Sequence, residues 1–492
     1  MDLFRTKSVE QSINDTEVKE HRLSRELGAL DLVVFGVGVI IGTGIFVLTG
    51  QVARDKAGPA VAISFVLAAV VCGLAALCYA EFSSTVPVAG SAYTFSYATL
   101  GELPAWIIGW DLILELALGA AVVSVGWSGY MDSLLASAGI GLPAAILNPP
   151  GQNGGVLNVP AVLIVLVVTA LLVTGVKLSA RVNEVVVAVK VTIVLLVIFA
   201  GLFFVKGANY HPFIPPSQAN ESVSGAAAPL IQVLFGINPV SFGWLGIFAA
   251  VSIVFFAYIG FDIVATAAEE ARQPQRDLPI GLIGSLIITA VLYVAVSVVV
   301  VGMQHYTELS VQAPLADAFK AVGHPGFATV ISVGAVAGLT TVVLIMLLGQ
   351  SRVFFAMSRD GLLPGWLSAV HPRFRTPYRS TVIMGCIVAV LAGLIPLAKL
   401  AELVNIGTLF AFLVVSAGVM VLRRTRPDLP RAFRTPLVPL IPVLSILACL
   451  FVMLNLPLET WYRFFAWMVV GVIVYFAYGR AHSRLQPARD EV

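Results

Sequence analysis

Apolar runs of about 20 residues recur along the whole chain, and a run of that length matches the hydrocarbon thickness of a bilayer. This feature constrains the fold more than any other, because a segment in lipid must hydrogen-bond its whole backbone internally. Composition agrees. The 492 residues are 59% hydrophobic with a mean hydropathy of +0.95 and only 11% charged, where soluble domains run at about 25%. An aqueous globule could not hide that much apolar surface, so the chain reads as an all-α, multi-pass membrane protein.

Hydropathy places twelve transmembrane helices at about 30–50, 59–82, 102–130, 160–178, 184–205, 246–268, 279–302, 326–355, 380–396, 400–422, 437–455 and 462–479. Twelve spans put both termini on one side, and lysine and arginine choose the side. With the N-terminus cytoplasmic, 22 of the 29 fall in cytoplasmic segments, from Arg5, Lys7, Lys19, Arg22 and Arg25 through Lys177, Arg181 and Arg375 to Arg484 and Arg489. Only Arg54, Lys56, Lys206, Lys320, Lys399 and Arg463 face the other way, with Lys190 left inside a span. The first 27 residues are a polar tail without the apolar stretch of a signal peptide. Segments 131–158 and 207–245 read as extracytoplasmic loops, the second with room for a short helix, and 314–323 as a short amphipathic helix. Cys72, Cys78, Cys386 and Cys449 lie in apolar runs as packing residues, and the six histidines are scattered, so no metal or cofactor is expected. No glycine string follows a strand or carries a phosphate-loop lysine, so nucleotide binding is unsupported, and no nucleic-acid partner is expected.

The first span contradicts its own role. "GVGVIIGTGIFVLTG" carries Gly36, Gly38, Gly42, Gly44 and Gly50, and each interior glycine costs a helix roughly 1 kcal/mol relative to alanine. The sixth span has a matching irregularity at Ala257-Tyr258-Ile259-Gly260-Phe261, with Asp262 directly after it. Small residues also serve close helix packing, and Gly38-x-x-x-Gly42 fits that use. Two interrupted segments at corresponding positions of two halves, however, point to a binding site at the interface of inverted repeats. Unwinding at Gly42-Thr43-Gly44 frees N–H groups that attract a carboxylate, and freed carbonyls on the other side attract an ammonium. One site with both features suits an α-amino acid.

At these residues the chain resembles a known group. "IIGTGIFVLTG", "YAEFSSTVPVAGSAYTFSY" from Tyr79, "FFAYIGFDIVATAAEEARQPQRDLP" from Phe255 and "GQSRVFFAMSRDGLLP" from Gly349 resemble the amino acid–polyamine–organocation superfamily, most closely the cationic amino acid transporter family and its bacterial relatives. The resemblance runs from about Leu27 to Tyr478. It implies a leucine-transporter-like 5+5 inverted repeat with helices 1 and 6 broken and two additional C-terminal helices. The parts are then a cytoplasmic tail at 1–28, a first repeat at 29–206, an extracellular loop at 207–245, a second repeat at 246–423, two further helices at 424–479 and a cytoplasmic tail at 480–492. Carried over residue by residue, Thr43 and the amide of Gly44 hold the substrate carboxylate, and the carbonyls of Ile40, Phe256 and Ile259 meet its ammonium. Ile41 belongs to the same set, and Phe256 or its neighbour Phe255 forms an aromatic lid.

Ionisable groups inside spans are costly and mark function. Lys190, in "VVVAVKVTIVLLV", has apolar neighbours on both sides. The resemblance puts it where sodium-coupled members of the fold bind Na⁺ between the first and eighth helices, bonding carbonyls such as those of Gly38 and Ile41. Gain and loss of its proton would make the protein proton-coupled; a fixed cation locking helix 5 to helix 1 is the plainer reading. Glu115, one turn after Asp111, either reads a cationic substrate side chain, pairs with Lys190, or packs as a protonated residue. Asp262 reads as a cap on the half-helix that begins at the second break. Glu269, Glu270, Arg272, Arg276 and Asp277, with Glu81, Arg352, Arg359 and Asp360, form either an intracellular salt-bridge gate or a solvated charge cluster.

The expectation is a secondary active transporter of amino acids across the plasma membrane, proton-coupled and working by alternating access. Its substrates would be cationic or small neutral L-amino acids such as arginine, lysine and alanine, its other partners the proton and the lipid bilayer. The alternatives are an exchanger, or a non-transporting receptor on the same fold. An intramembrane enzyme would need a reactive pair, for which Lys190 with Glu115 is the sole candidate.

Overall fold

The computed structural model describes residues 27–86, 91–175, 180–220, 223, 225–374 and 376–483. The N-terminal tail to residue 26, with its five basic residues, and Lys177, Arg375, Arg484 and Arg489 lie outside the described residues, as do the side chains of Arg181 and Glu269. What is described is an all-α multi-pass membrane protein. Eight of its helical segments are long and apolar enough to cross a bilayer, and four shorter apolar helices accompany them.

The helices that matter here are α1 (Ala29–Ile40), α2 (Val61–Thr85), α3 (Ser91–Thr99), α4 (Glu102–Ser137), α5 (Val159–Val173), α6 (Ala180–Gly201), α7 (Gly243–Val254), α8 (Pro274–Met303), α9 (Pro314–Ala321), α10 (Pro325–Arg359), α11 (Tyr378–Leu394), α12 (Leu397–Thr425), α13 (Leu440–Leu454) and α14 (Leu458–Val474). Between α1 and α2 the chain runs on through helical turns from Gly44 to Ala57 and reverses at Gly58, whose φ of +61° lies in the left-handed region that glycine tolerates. The amphipathic helix expected at 314–323 is α9. Two elements were not expected: α3, and a hairpin of two-residue strands, Gln218–Ala219 with Val240–Ser241, inside the 207–245 loop, which also carries the short helix Leu230–Leu234.

Packing follows a pattern. α8 lies on α2 and α1, and α7 lies on α2. α10 packs on α4 and α6, α12 packs on α4, and α11 pairs with α5. α14 is fastened to α4 by tryptophans: the rings of Trp110 and Trp467 stack at 4.5 Å, Trp110 Nε1 donates to the Trp467 carbonyl at 2.9 Å, and Trp467 Nε1 donates back to the Trp110 carbonyl at 3.2 Å. An indole that buries its ring and satisfies its N–H holds two helices together without an unpaired donor.

The charge groups at the Glu102 end of the molecule sort differently from the expectation. Arg352 meets Glu270 at 3.6 Å, Asp360 accepts from the Tyr93 hydroxyl at 2.7 Å, and Asp277 accepts from the Gln273 N–H at 3.1 Å. Glu81 is not part of this group. Its carboxylate is 2% exposed and receives hydrogen bonds from Arg423 Nε at 2.8 Å and Nη2 at 2.7 Å and from the Thr435 N–H at 2.8 Å, while Arg431 Nε stands 3.3 Å away as an ion pair without a hydrogen bond. A buried carboxylate needs paired cations and filled lone pairs, and the nearest arginines on offer come from the end of α12 and the loop after it. The first described residue is also tied in, since the Leu27 N–H donates to Glu270 and the Arg272 N–H to Leu27, at 3.0 and 2.8 Å.

Candidate site at the two helix breaks

α1 ends because Ile41 leaves the helical region with ψ of 93°, although its N–H still reaches the Val37 carbonyl at 2.9 Å. The chain turns helical again at Gly44 in a widened π turn, and Phe46 N–H bonds the Gly42 carbonyl at 3.3 Å. The amides of Thr43 and Gly44 therefore stand at the head of a new half-helix, where anions are favoured. The Thr43 side chain is fully buried, yet its hydroxyl has no hydrogen-bond partner. It sits directly on Gly126 of α4, where a Cβ would come within 2.8 Å of the hydroxyl oxygen.

α7 gives way at Phe255 to a 3₁₀ turn, Phe255–Tyr258, and then to extended backbone at Ile259. Gly260 has φ of +118°, and a Cβ there would lie 2.7 Å from Val39 Cγ1, so the second break is shaped by a position only glycine fills. The half-helix after it, Asp262–Glu270, is 3₁₀ throughout, tighter than the α-helix expected. Asp262 Oδ1 receives the Gly260 N–H at 3.2 Å, so its carboxylate closes the turn before the half-helix and does not act as the expected cap, the N-cap position being Phe261. The two breaks touch each other: a Cβ on Gly44 would stand 2.3 Å from Ala257 Cα.

The carbonyls around the breaks are partly engaged. Ile40 accepts from the Tyr293 hydroxyl of α8, and Phe256 accepts from the Ile259 N–H at 3.1 Å. Each carbonyl oxygen has a second lone pair for a substrate ammonium. Of the two aromatic candidates, Phe255 is turned into the core, its ring edge-on to Phe412 at 5.7 Å, because α12 supplies an apolar partner on that side. Phe256, with 5% exposure, is the one left beside the break. Asn405 of α12 donates to the Ser252 carbonyl at 2.6 Å and to Ile253 at 3.3 Å, satisfying the end of α7, while its own buried Oδ1 lacks a partner.

Lys190 is fully buried, and its Nζ donates to the Gly38 carbonyl at 2.7 Å. Its stem crosses α10 at Gly338, where a Cβ would fall 2.9 Å from Cε and Cγ. The lysine thus lies between α1 and α10. Gly38 in turn lets α6 approach, since a Cβ there would be 2.4 Å from Val187 Cγ2. Glu115 is not paired with Lys190; it lies beside the Thr408 hydroxyl and within electrostatic reach of Asp262 and Asp111. Next to the first break, a cavity of about 380 Å³ is lined by Val47, Gln51, Asp55, Gly126, Asp132 and Asn148 among others. Its floor at Gly126 is the residue that touches Thr43. Tyr293, Gly126, Gly338 and Asn405 escaped the reading of the sequence; a lone polar residue in each apolar run was the sole hint for Tyr293 and Asn405.

Comparison with known proteins fits this geometry. The family model described as amino acid permease matches residues 27–475. The chain is 50% identical to the branched-chain amino acid permease BcaP and 47% identical to the methylthioribose transporter, both of Bacillus subtilis (strain 168), in each case over 98% of this chain and 99% of the relative. It is 38% identical to the vacuolar cationic amino acid transporter 4 of Arabidopsis thaliana, over 83% of this chain and 65% of that protein. These relatives are membrane carriers and not enzymes, and the match covers both breaks, Lys190 and every helix from α1 to α14: the chain belongs to the amino acid permease family.

Proposed function

We propose that the chain is a proton-coupled secondary carrier of L-amino acids, working by alternating access in the plasma membrane with both termini cytoplasmic. The observation that carries the reading is the contact of the two breaks at Gly44 and Ala257, with the unpartnered Thr43 hydroxyl beside them. A substrate carboxylate would take the Thr43 hydroxyl and the Gly44 amide, and its ammonium the carbonyls of Ile40, Ile41, Phe256 and Ile259. Phe256 would cover it.

Helix packing supports the 5+5 architecture. When each of the first ten spans is exchanged with the one five places on, the contacts map onto themselves. α8 on α1 becomes α7 on α2, α12 on α4 becomes α10 on α6, and the pairs α2–α8, α4–α10 and α5–α11 are unchanged. α13 and α14 stand outside the repeat.

Lys190 is the proposed coupling group. A charged ammonium on the Gly38 carbonyl makes a bond roughly twice as strong as a neutral one, so loss of its proton loosens α6 from α1 and frees the first break to move. Relatives named for branched-chain and cationic amino acids agree on the α-amino acid handle and differ in the side chain. Cationic and small neutral amino acids remain the proposed range, with Glu115 as the proposed reader of a cationic side chain. A second reading, a methylthio-pentose, is favoured by the polar lining of Gln51, Asp132 and Asn148 in the cavity and by the relative named for methylthioribose. A thermal-shift screen of the common amino acids and methylthioribose, followed by flux of the hits in liposomes, decides. Binding without any movement of labelled substrate makes the protein a receptor and ends the carrier reading, and counterflow without net uptake makes it an exchanger.

A further inference from the structure

The cavity of about 380 Å³ beside the first break carries two carboxylates in its lining and, among the described residues, no lysine, arginine or histidine. Val125, Ser128 and Asp132 of α4 face it, at spacings of three and four that place them on one stripe of the helix. Asp55 faces it from the chain that follows the first break, and Asn148 and Asn158 from the segment between α4 and α5. The walls are braced. Asn158 Oδ1 accepts from the Ser128 hydroxyl at 2.7 Å and from the Ala161 N–H at 3.1 Å, and Asn148 Oδ1 accepts from Gln312 Nε2 at 3.2 Å. Ser128, Asn148 and Asn158 are all buried, so this polar wall is part of the fold. The floor is Gly126, with the unpartnered Thr43 hydroxyl directly against it. Asp132 stands six residues further along α4, about 9 Å along its axis. A group held by Asp132 is therefore outside the break and not in it.

Neither Asp55 nor Asp132 has a hydrogen bond or an ion pair among the described residues. The positive groups nearby are committed elsewhere. Arg54 Nη1 donates to the Leu309 carbonyl at 3.2 Å, and Lys320 Nζ donates to Asp317 at 3.1 Å and to the Ser133 hydroxyl at 2.8 Å. Lys399 and Arg463 both meet Glu459, at 3.9 and 2.8 Å, and Lys56 lies within electrostatic reach of Glu402. A partly enclosed cavity with like charges on its walls draws the opposite charge, because its walls screen less than water does. A zwitterion such as alanine is attracted by one end and repelled by the other. Arginine and lysine carry a net positive charge, on a stem long enough to keep their carboxylate clear of the aspartates. We propose that the cavity is an outer loading site for L-amino acids with cationic side chains, in which Asp55 and Asp132 hold the ammonium or guanidinium before the substrate passes Gly126 to Thr43. The inference rests on the carrier reading and deepens it. Charge is then sorted once at the entrance, before any group at the two breaks meets the substrate.

The full chain, purified and placed in liposomes with equal salt on both sides, tests this through initial rates of counterflow with labelled L-arginine and L-alanine. In the parent, half-saturation by arginine should weaken as KCl rises from about 0.01 M to about 0.15 M, where the Debye length falls from roughly 30 to 8 Å, while alanine is unaffected. An arginine half-saturation that ignores salt overturns the proposal without any variant. At low salt Asp132→Asn should raise the arginine half-saturation concentration roughly 3–5-fold, and Asp55→Asn combined with it on the order of 10-fold, as loss of one or two partly exposed ion pairs implies. The maximal rate and the alanine half-saturation should stay as in the parent, and Asp132→Glu should restore arginine. Unchanged arginine half-saturation in the double variant overturns the proposal, and so does an equal loss for alanine, which marks a structural role. A parent that exchanges alanine but not arginine overturns the inference and leaves the carrier standing, whereas a parent that exchanges no amino acid overturns the carrier reading itself.

Discussion

Replacing Gly44 with alanine adds one methyl group to the first break and should disable it. The new Cβ would lie 2.3 Å from Ala257 Cα and 2.4 Å from Ala257 Cβ. Carbon atoms settle at about 3.5–4.0 Å, so the two breaks must part by roughly 1.2–1.7 Å. Ala257 belongs to a fully packed turn and its Cα is backbone, so no rotamer change relieves the contact. Overpacking of this kind costs about 1–3 kcal/mol, offset by the roughly 1 kcal/mol that alanine contributes to a helix. The larger effect falls on substrate, because a 1 Å misplacement of binding groups costs on the order of 100-fold. Gly73→Ala is the matched control: a Cβ there meets nothing within 4 Å, so this variant should gain up to about 1 kcal/mol and bind normally. Thermal unfolding in detergent and substrate-induced thermal shift, measured on both variants side by side, give the answer. If Gly44→Ala binds as tightly as the parent, the two breaks do not form the site and the argument from their contact fails.

Removing the Lys190 side chain in Lys190→Ala should abolish the response of uptake to an inward proton gradient; an equal response in variant and parent eliminates the switch. Glu81→Ala strips the partner from Arg431 and Arg423 and should cost about 3–5 kcal/mol of stability in denaturation measurements, as for other broken buried pairs. A loss below roughly 1 kcal/mol would mean the pair behaves like an exposed one. Tyr293→Phe deletes the hydroxyl that donates to Ile40 and should lower stability by about 0.5–1.5 kcal/mol. It should also weaken binding of every amino acid alike, and a change confined to one side-chain class would place Tyr293 in substrate selection instead.

Much of the framework was legible because hydropathy is a property of contiguous residues. α2, α4, α8 and α10 each coincide with an apolar run, and α9 with an amphipathic one. The glycines of the first span and Gly260 marked where a helix must fail, since their cost is local too. α3 was missed because "SAYTFSYAT" has neither a long apolar run nor a clear stripe, and packing on α4 makes it a helix. The 3₁₀ winding of Asp262–Glu270 leaves no mark in composition. Gly126 under Thr43, Gly338 under Lys190 and Asn405 at the end of α7 were hidden for a different reason. Each matters only through a partner more than 80 residues away, and one sequence carries no record of which distant residues meet. Glu81 shows the same limit: its charge suggested a partner among the nearby arginines of the gate, and geometry gave it Arg423 and Arg431.

That carboxylate also bears on how the protein is made. Arg423 follows Glu81 by 342 residues. At roughly 5–20 residues per second a ribosome takes on the order of 20–70 s to supply it. During that interval Glu81 lacks the two arginines that pair with it in the finished protein, and a carboxylate without them cannot rest where the finished protein buries it. The second helix must therefore wait with that end held in the headgroup layer, and it reaches its final depth only when the tenth helix and the following loop arrive. A clasp between the second and tenth helices thus closes late in insertion, with only α13 and α14 still to follow, and variants of Glu81, Arg423 or Arg431 will reveal themselves first as protein that is synthesised but never assembled.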